Sequence, residues 1–198
     1  MTAGDLLAAM DLPPGCRVDR RIPKTLWPDA LRAALSDLTD ELRWLAVLKP
    51  ENCAIAAAAD APEIQVLALA LRPAVKLAAA RRMHAAVPYP TVALIEHGLG
   101  LSVSLREADC ELVDEPTTAA WLPALALGRQ ARDSLATVYA GWTAAVRRLG
   151  EPARIEGEIA RLRAQAGKEK GMANLARMNL RLQQLQSEFA AAREALCR

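Results

Sequence analysis

The chain has 198 residues, with 25 basic and 23 acidic side chains and a formal charge of +2. That suits one domain, or one domain with an appendage, and supplies no overall field toward nucleic acid or membrane. Hydrophobic residues make up 53%, but 42 of all residues are alanine and aromatics are only 4%, so leucine, valine and the four tryptophans must supply the core. The longest stretches free of Asp, Glu, Lys and Arg, Met83–Ile95 and Ser134–Val146 among them, have 13 residues each; a membrane span needs roughly 18. MTAGDLLAAMDLPPG has no basic region before an apolar one, so no secretory signal is expected. Cys16, Cys53, Cys110 and Cys197 are widely spaced, and His84 and His97 are the only histidines. Without paired ligand spacing, reduced thiols in a cytoplasmic protein are expected, with no metal site and no cofactor.

In chain order, residues 1–23 read as an irregular arm, with one helical turn at Leu6, Leu7 and Met10 broken by Pro13-Pro14-Gly15. Leu31, Leu35, Leu38 and Leu42 recur at helical spacing, which predicts a helix, or two short ones joined near 36–40, ending before Pro50. A short apolar run at Cys53–Ala59 and the segment EIQVLALALR (Glu63–Arg72) read as strands, the second apolar on both faces as in a central strand. A helix over 73–86 follows, then Thr91–Glu96 and Leu101–Arg106 flanking a His97-Gly-Leu-Gly100 turn as a hairpin. Glu107–Glu115 carries five carboxylates, and 116–123 reads as loop. Leu135, Val138, Tyr139, Trp142, Val146 and Leu149 predict a helix over 129–149, broken at Gly150-Glu-Pro152.

Beyond that, Ile155, Ile159, Leu162 and Ala166 form one apolar seam, and Met178, Leu182, Leu185, Phe189, Ala192 and Leu196 another, out of phase across Gly167–Gly171. Either the chain turns back as a helical hairpin, or one continuous arm of roughly 65–70 Å shifts its contact face; the continuous arm is the favoured expectation. The fold class expected is α+β: an α+β domain over 1–150 with a mixed sheet of about four strands packed by helices, and a helical or coiled-coil segment over 151–198.

The phrases VDRRIPKTLWPDAL, LRWLAVLKPENCAI, EIQVLALALR, HAAVPYPTVALIE, LSVSLREA and GKEKGMANLARMNLRLQQL, in this order, resemble a bacterial family known as domain of unknown function 4391. Its members are often encoded beside helicase and DNA-methyltransferase genes of restriction-like systems, so the resemblance implies a part in DNA handling or phage defence. Relatives often end the strand matching EIQVLALALR in Leu-Lys, where this chain has Leu71-Arg72. That puts any chemistry needing the lysine in question.

For catalysis, a Mg²⁺-dependent nuclease needs two or three carboxylates around the metal, usually with a lysine beside the attacking water. Asp60, Glu63, Glu96 and Glu107 lie near strands, but none forms an Asp…Glu-x-Lys arrangement. Ser102 and Ser104 alternate on a strand without a nucleophile elbow, and His84 and His97 read as a cap or surface imidazoles. Arg161, Arg163, Lys168, Lys170, Arg177 and Arg181 face only Glu169 in their segment, and Arg20, Arg21 and Lys24 form a second basic cluster. Both suit non-specific contact with a phosphate backbone. The seam of Met178, Leu182, Leu185, Phe189 and Leu196 must be covered by its own domain, by a second copy or by another protein. The expected function is a non-catalytic accessory or adaptor subunit of a DNA-processing or phage-defence assembly. It docks through its C-terminal helix on a helicase, another defence subunit or itself, and touches DNA; no membrane partner is expected. The alternatives are a divergent Mg²⁺-dependent nuclease and a stand-alone DNA-binding module.

Overall fold

The computed structural model describes residues 2–72, 77–97, 100–112 and 121–196. The chain divides into two units, Met1–Val146 and Arg147–Arg198.

The first unit is an α+β domain around a six-stranded mixed sheet in the order β1-β2-β3-β4-β5-β6. The strands are β1 (Arg17–Arg21), β2 (Thr39–Leu48), β3 (Ile64–Leu71), β4 (Thr91–His97), β5 (Gly100–Leu105) and β6 (Ala108–Leu112). Only β3 and β4 pair in parallel, and a helix, α4 (Leu77–Ala86), lies between them in sequence. Three further helices belong to this unit: α1 (Ala3–Ala9), α2 (Asp29–Leu35) and the single turn α3 (Pro50–Cys53). The strands of greatest apolar content, β3 and β4, sit at the centre, where both faces are covered.

Six strands replace the four expected, for three local reasons. The N-terminal arm is structured. Thr2 and Asp5 cap α1 reciprocally, with Asp5 N–H donating to Thr2 Oγ1 at 3.2 Å and Thr2 N–H to Asp5 Oδ2 at 2.7 Å. Leu6 and Met10 are fully buried, and residues 17–21 form an edge strand whose arginines guard the open side of the sheet. Next, the helical spacing of Leu31, Leu35, Leu38 and Leu42 spans two elements. Leu31 and Leu35 lie on α2, whereas Leu42 lies on β2, and all four enter one core cluster. A register shift between Trp44 and Ala46 breaks the alternation that would have marked β2 as a strand. Third, β6 runs through the acidic stretch after Arg106, pairing with β5. Conversely, Cys53–Ala59 is no strand, contributing only the isolated bridge Ala58–Ala61. The turn residues 98–99, the start of the 73–86 helix and the 113–120 segment lie outside the described residues.

Strand register aligns one row of side chains across the whole sheet: Arg20, Trp44, Leu67, Ala93, Ser104 and Asp109 are successive partners. Around the middle of this row, Leu69, Ile95 and Leu42 pack against Trp27, Leu35 and Met83 from α2 and α4 and the turn before α2. The row is therefore apolar at its centre, cationic at one end and polar at the other. On the opposite face Val66, Leu94 and Val103 are buried. Trp142, also buried, donates its indole N–H to Leu125 O at 2.8 Å.

Two long helices follow, α5 (Leu135–Ala166) and α6 (Met172–Leu196). The expected break at Gly150-Glu-Pro152 does not occur: Pro152 lies inside α5, at a position that costs a helix about 3 kcal/mol. In the second unit the continuous arm gives way to the hairpin alternative. The helix ends at Ala166, and Ile155, Ile159 and Leu162 pack against Leu182, Leu185, Phe189 and Ala192. Pairing of Glu158 with Arg181 at 3.0 Å fixes the antiparallel sense. Glu169 closes the turn before the second helix, accepting from Gly171 N–H at 2.7 Å, Lys170 N–H at 2.9 Å and Asn174 Nδ2 at 3.1 Å. Those bonds hold the Glu169 carboxyl below its ordinary range, the Gly171 bond contributing most.

Candidate functional site

The candidate catalytic groups lie in the sheet unit. At the polar end of the sheet row, Ser104 Oγ donates to Asp109 Oδ1 at 2.6 Å and lies 2.9 Å from His84 Nε2. Arg81 Nε donates to Asp109 Oδ2 at 2.6 Å, and a second guanidinium nitrogen pairs with the same oxygen. One residue pair along, His97 Nε2 lies 2.7 Å from Ser102 Oγ. A methyl group added at Gly100 would sit 3.0 Å from His97 Cε1, so any larger residue there would have to shift the ring by a few tenths of an ångström.

Histidine, serine and aspartate together suggest acyl transfer, but the direction of the protons excludes it. In a nucleophilic triad the imidazole accepts the serine proton and the carboxylate orients the imidazole. Here the single Ser104 proton points at Asp109, so His84 Nε2–H must be the donor to Ser104. The remaining nitrogen, His84 Nδ1, is buried without a partner. Ser104 is 1% exposed and His84 7%, so no substrate reaches them. Burial pushes the His84 pKa down to about 4, so the ring is neutral at neutral pH. His84 is thus a core residue, not the cap or surface imidazole expected, and the cluster pins α4 to β5 and β6.

The acids proposed for a nuclease are not assembled. Glu63 precedes β3, where Lys49 Nζ lies 3.0 Å away and Gln65 Nε2 donates to it at 2.8 Å. Glu96 lies at the far end of the neighbouring parallel strand, opposite Ala70, and accepts from Ala3 N–H at 3.3 Å. Seven strand residues, roughly 20 Å, separate the two positions. Asp60 is exposed at the Ala58–Ala61 turn. Among the described residues no group of three or more His, Cys, Asp or Glu is arranged to hold a metal ion. Cys16, Cys53 and Cys110 are free thiols, and burial raises the Cys110 pKa to about 12.

The basic residues fall into both units. In the sheet unit Arg20 and Arg21 are exposed on β1, and Lys24 Nζ lies 5.9 Å from the centre of the Trp27 ring and 3.5 Å from Ser36 O. In the hairpin unit Arg181 is engaged by Glu158 and by Glu188 at 3.2 Å, and Arg177 donates to Asn174 Oδ1 at 2.5 Å. Arg161 reaches its own helix backbone, with Nε donating to Gly157 O at 3.4 Å. Arg163, Lys168 and Lys170 are exposed, and among the described residues no side-chain hydrogen bond or ion pair holds them. The hairpin unit carries eleven basic and six acidic residues, the sheet unit fourteen and seventeen. A chain of net charge +2 therefore consists of a unit at +5 and a unit at −3.

The interface residues expected on the last helix are largely turned inward. Leu185 is fully buried, and Leu182 and Phe189 are half-buried against α5. Met178 and Leu196 are half-buried too. The large apolar side chains that α6 leaves in solvent are instead Met172, 80% exposed, and Leu180, 61% exposed. Sequence reasoning passed over both because neither falls on the seam.

The described residues thus form an α+β unit with a six-stranded mixed sheet and a basic helical hairpin unit. The chain belongs to the family described as Domain of unknown function (DUF4391), whose profile matches residues 10–151. The closing phrase GKEKGMANLARMNLRLQQL, expected to share in the resemblance, lies beyond the matched residues, as does most of the hairpin unit. Neither a curated protein nor a solved structure matches the chain. No helix among the described residues is long and apolar enough to cross a membrane.

Proposed function

We propose that this chain is a non-catalytic accessory subunit of a bacterial DNA-processing or phage-defence assembly, working in the cytoplasm. Its helical hairpin is the arm that docks on a protein partner and rests on the DNA backbone. We read the hairpin seam as a short antiparallel coiled coil, built from the alternating steps of Leu182, Leu185 and Phe189.

The observation that carries this reading is the hairpin itself: a separate unit with a small interior and a strongly basic exterior. Ile155, Ile159 and Leu185 are the buried members of its core cluster, with Leu162, Leu182, Phe189 and Ala192 packed against them, so its interior is small and a partner that adds cover would stabilise it. Leu180 and Met172 present the apolar contact that a partner would complete, and Arg163, Lys168 and Lys170 present charge with no internal use. The proton arrangement at Ser104 and the separation of Glu63 from Glu96 support a role without catalysis.

The test is the native mass of the full chain, alone and mixed with a helicase or DNA-methyltransferase subunit of a restriction-like system from the same organism, by size exclusion with light scattering. A stoichiometric complex, lost in Leu180→Glu with Met172→Glu, is the expected result. A monomer that ignores those subunits, or a complex untouched by the double substitution, would overturn the docking role.

A further inference from the structure

The sheet face that carries Trp44 is only partly roofed. α2 has two turns and α4 ends at Ala86, and between them a cavity of about 410 Å³ opens over the β1–β2–β3 side of the sheet. That volume lies within the roughly 300–1,000 Å³ typical of small-molecule pockets. The floor is the cationic end of the sheet row, Arg20, Trp44 and Leu67, with Leu42 and Gln65 beside it. Ile22, Leu26, Pro28 and Leu31 form one wall, and the stretch from Ala86 to Tyr89 forms the other.

Both walls are held in place. Arg106 Nη2 donates to the carbonyls of Val87 and Pro88, each at 3.2 Å, and Thr91 Oγ1 donates to Tyr89 O at 3.0 Å. On the other side the Trp27 indole donates to Ile22 O at 2.9 Å, and Arg32 Nη2 to Trp27 O at 2.9 Å. A cavity with fixed walls loses little entropy on filling.

Its polar groups narrow the choice of occupant. Trp44 Nε1 already donates to Ala46 O at 3.1 Å, so the indole offers the cavity an apolar face. The Gln65 amide nitrogen is committed to Glu63. Arg20 is the charged residue of the lining, and among the described residues nothing pairs with its guanidinium. A neutral apolar molecule would leave that donor fork unused, and a polyanion would press charge against apolar walls at a large desolvation cost.

We propose that this cavity binds a small organic monoanion, its apolar body laid on Trp44 and Leu67 and its carboxylate or sulfonate paired with Arg20. The site is independent of the hairpin and of the docking role.

The experiment titrates the full chain with anilinonaphthalene sulfonate and, separately, with its uncharged counterpart phenylnaphthylamine, following probe fluorescence and tryptophan quenching. The anion is expected to bind the native chain. Arg20→Gln should weaken it about 10-fold or more, as loss of a charge-assisted pair does, and leave the neutral probe unchanged. Arg21→Gln, on the neighbouring residue outside the cavity, should change neither. Ala86→Phe, which fills the space, should weaken both. Arg20 is exposed on an edge strand, so its substitution preserves the fold, and an unchanged thermal melt confirms it. Equal anion binding in Arg20→Gln and the native chain would overturn the proposal, as would failure of the native chain to bind the anion. A neutral probe binding more tightly than the anion would make the cavity a purely apolar groove and would also overturn it.

Discussion

His84 shows how one buried side chain sets the response of the domain to acid. Its Nε2–H serves Ser104 while its Nδ1 has no partner, so protonation would place a charge where burial leaves it poorly solvated. The folded pKa, about 4, lies below the ordinary value of 6.5. Above pH 6.5 the ring is neutral in both states and contributes no pH dependence. Between 6.5 and 4 the unfolded chain takes up a proton that the folded chain refuses, so stability falls with pH, by about 3 kcal/mol in all. His84→Gln keeps a donor for Ser104 without titrating. Its melting temperature is expected to be flatter between pH 7 and 4 than that of the native chain, and parallel curves would contradict the account. The alternation of Ser102 and Ser104 was visible in the sequence, as were both histidines. The pairing of His84 with Ser104 was not, because it depends on α4 being laid across β5, twenty residues further along the chain, whereas His97 meets Ser102 within the β4–β5 hairpin. The same holds for the cavity: Arg20 and Trp44 meet through strand register, Tyr89 joins them from the segment before β4, and the three have no shared spacing.

Among elements, the hairpin gives the sharpest contrast between residues that look alike. Leu185 is fully buried between the helices, whereas Leu180, little more than one turn before it, is 61% exposed. Leu185→Ala is expected to cost the hairpin about 2–4 kcal/mol, as deletion of a buried leucine does. Leu180→Glu should change stability by no more than about 0.5 kcal/mol. Hydrogen exchange on the two variants checks this: faster exchange confined to 155–196 is expected for Leu185→Ala, and no change for Leu180→Glu. The two seams were legible because leucine and isoleucine repeat at three- and four-residue steps. The turn between them was not, since Gly167–Gly171 reads equally as a phase shift within one helix; the bonds of Glu169 to the Lys170 and Gly171 N–H groups hold the turn. β2 failed for the opposite reason. The leucine spacing of 31, 35, 38 and 42 is helical, yet Leu42 reaches the same core from a strand whose bulge conceals its own period. Pro152 inside α5 is a further case in which local preference yields to the surrounding helix.

For the whole molecule, the near-neutral total hides a division of charge between the units. A net charge of +2 excludes a strong overall field, but it conceals a hairpin unit at +5 and a sheet unit at −3, a division that appears only once the unit boundary is known. In the proposed function the unpaired cations of the hairpin would meet phosphates and release counterions, which would make affinity a steep function of salt and nearly indifferent to sequence. Family membership covers 10–151 and therefore supports the sheet unit, while the hairpin must be judged on its own chemistry.

The most direct test of that chemistry is the affinity of the full chain for a random-sequence DNA duplex, by fluorescence anisotropy, as salt rises from about 50 to 200 mM. Three free cations predict a slope of log K against log salt of about −2.7, and near-complete loss of binding in Arg163→Glu with Lys168→Glu and Lys170→Glu. Binding that is absent at the lowest salt, or equal in the native and charge-reversed chains, would contradict the account.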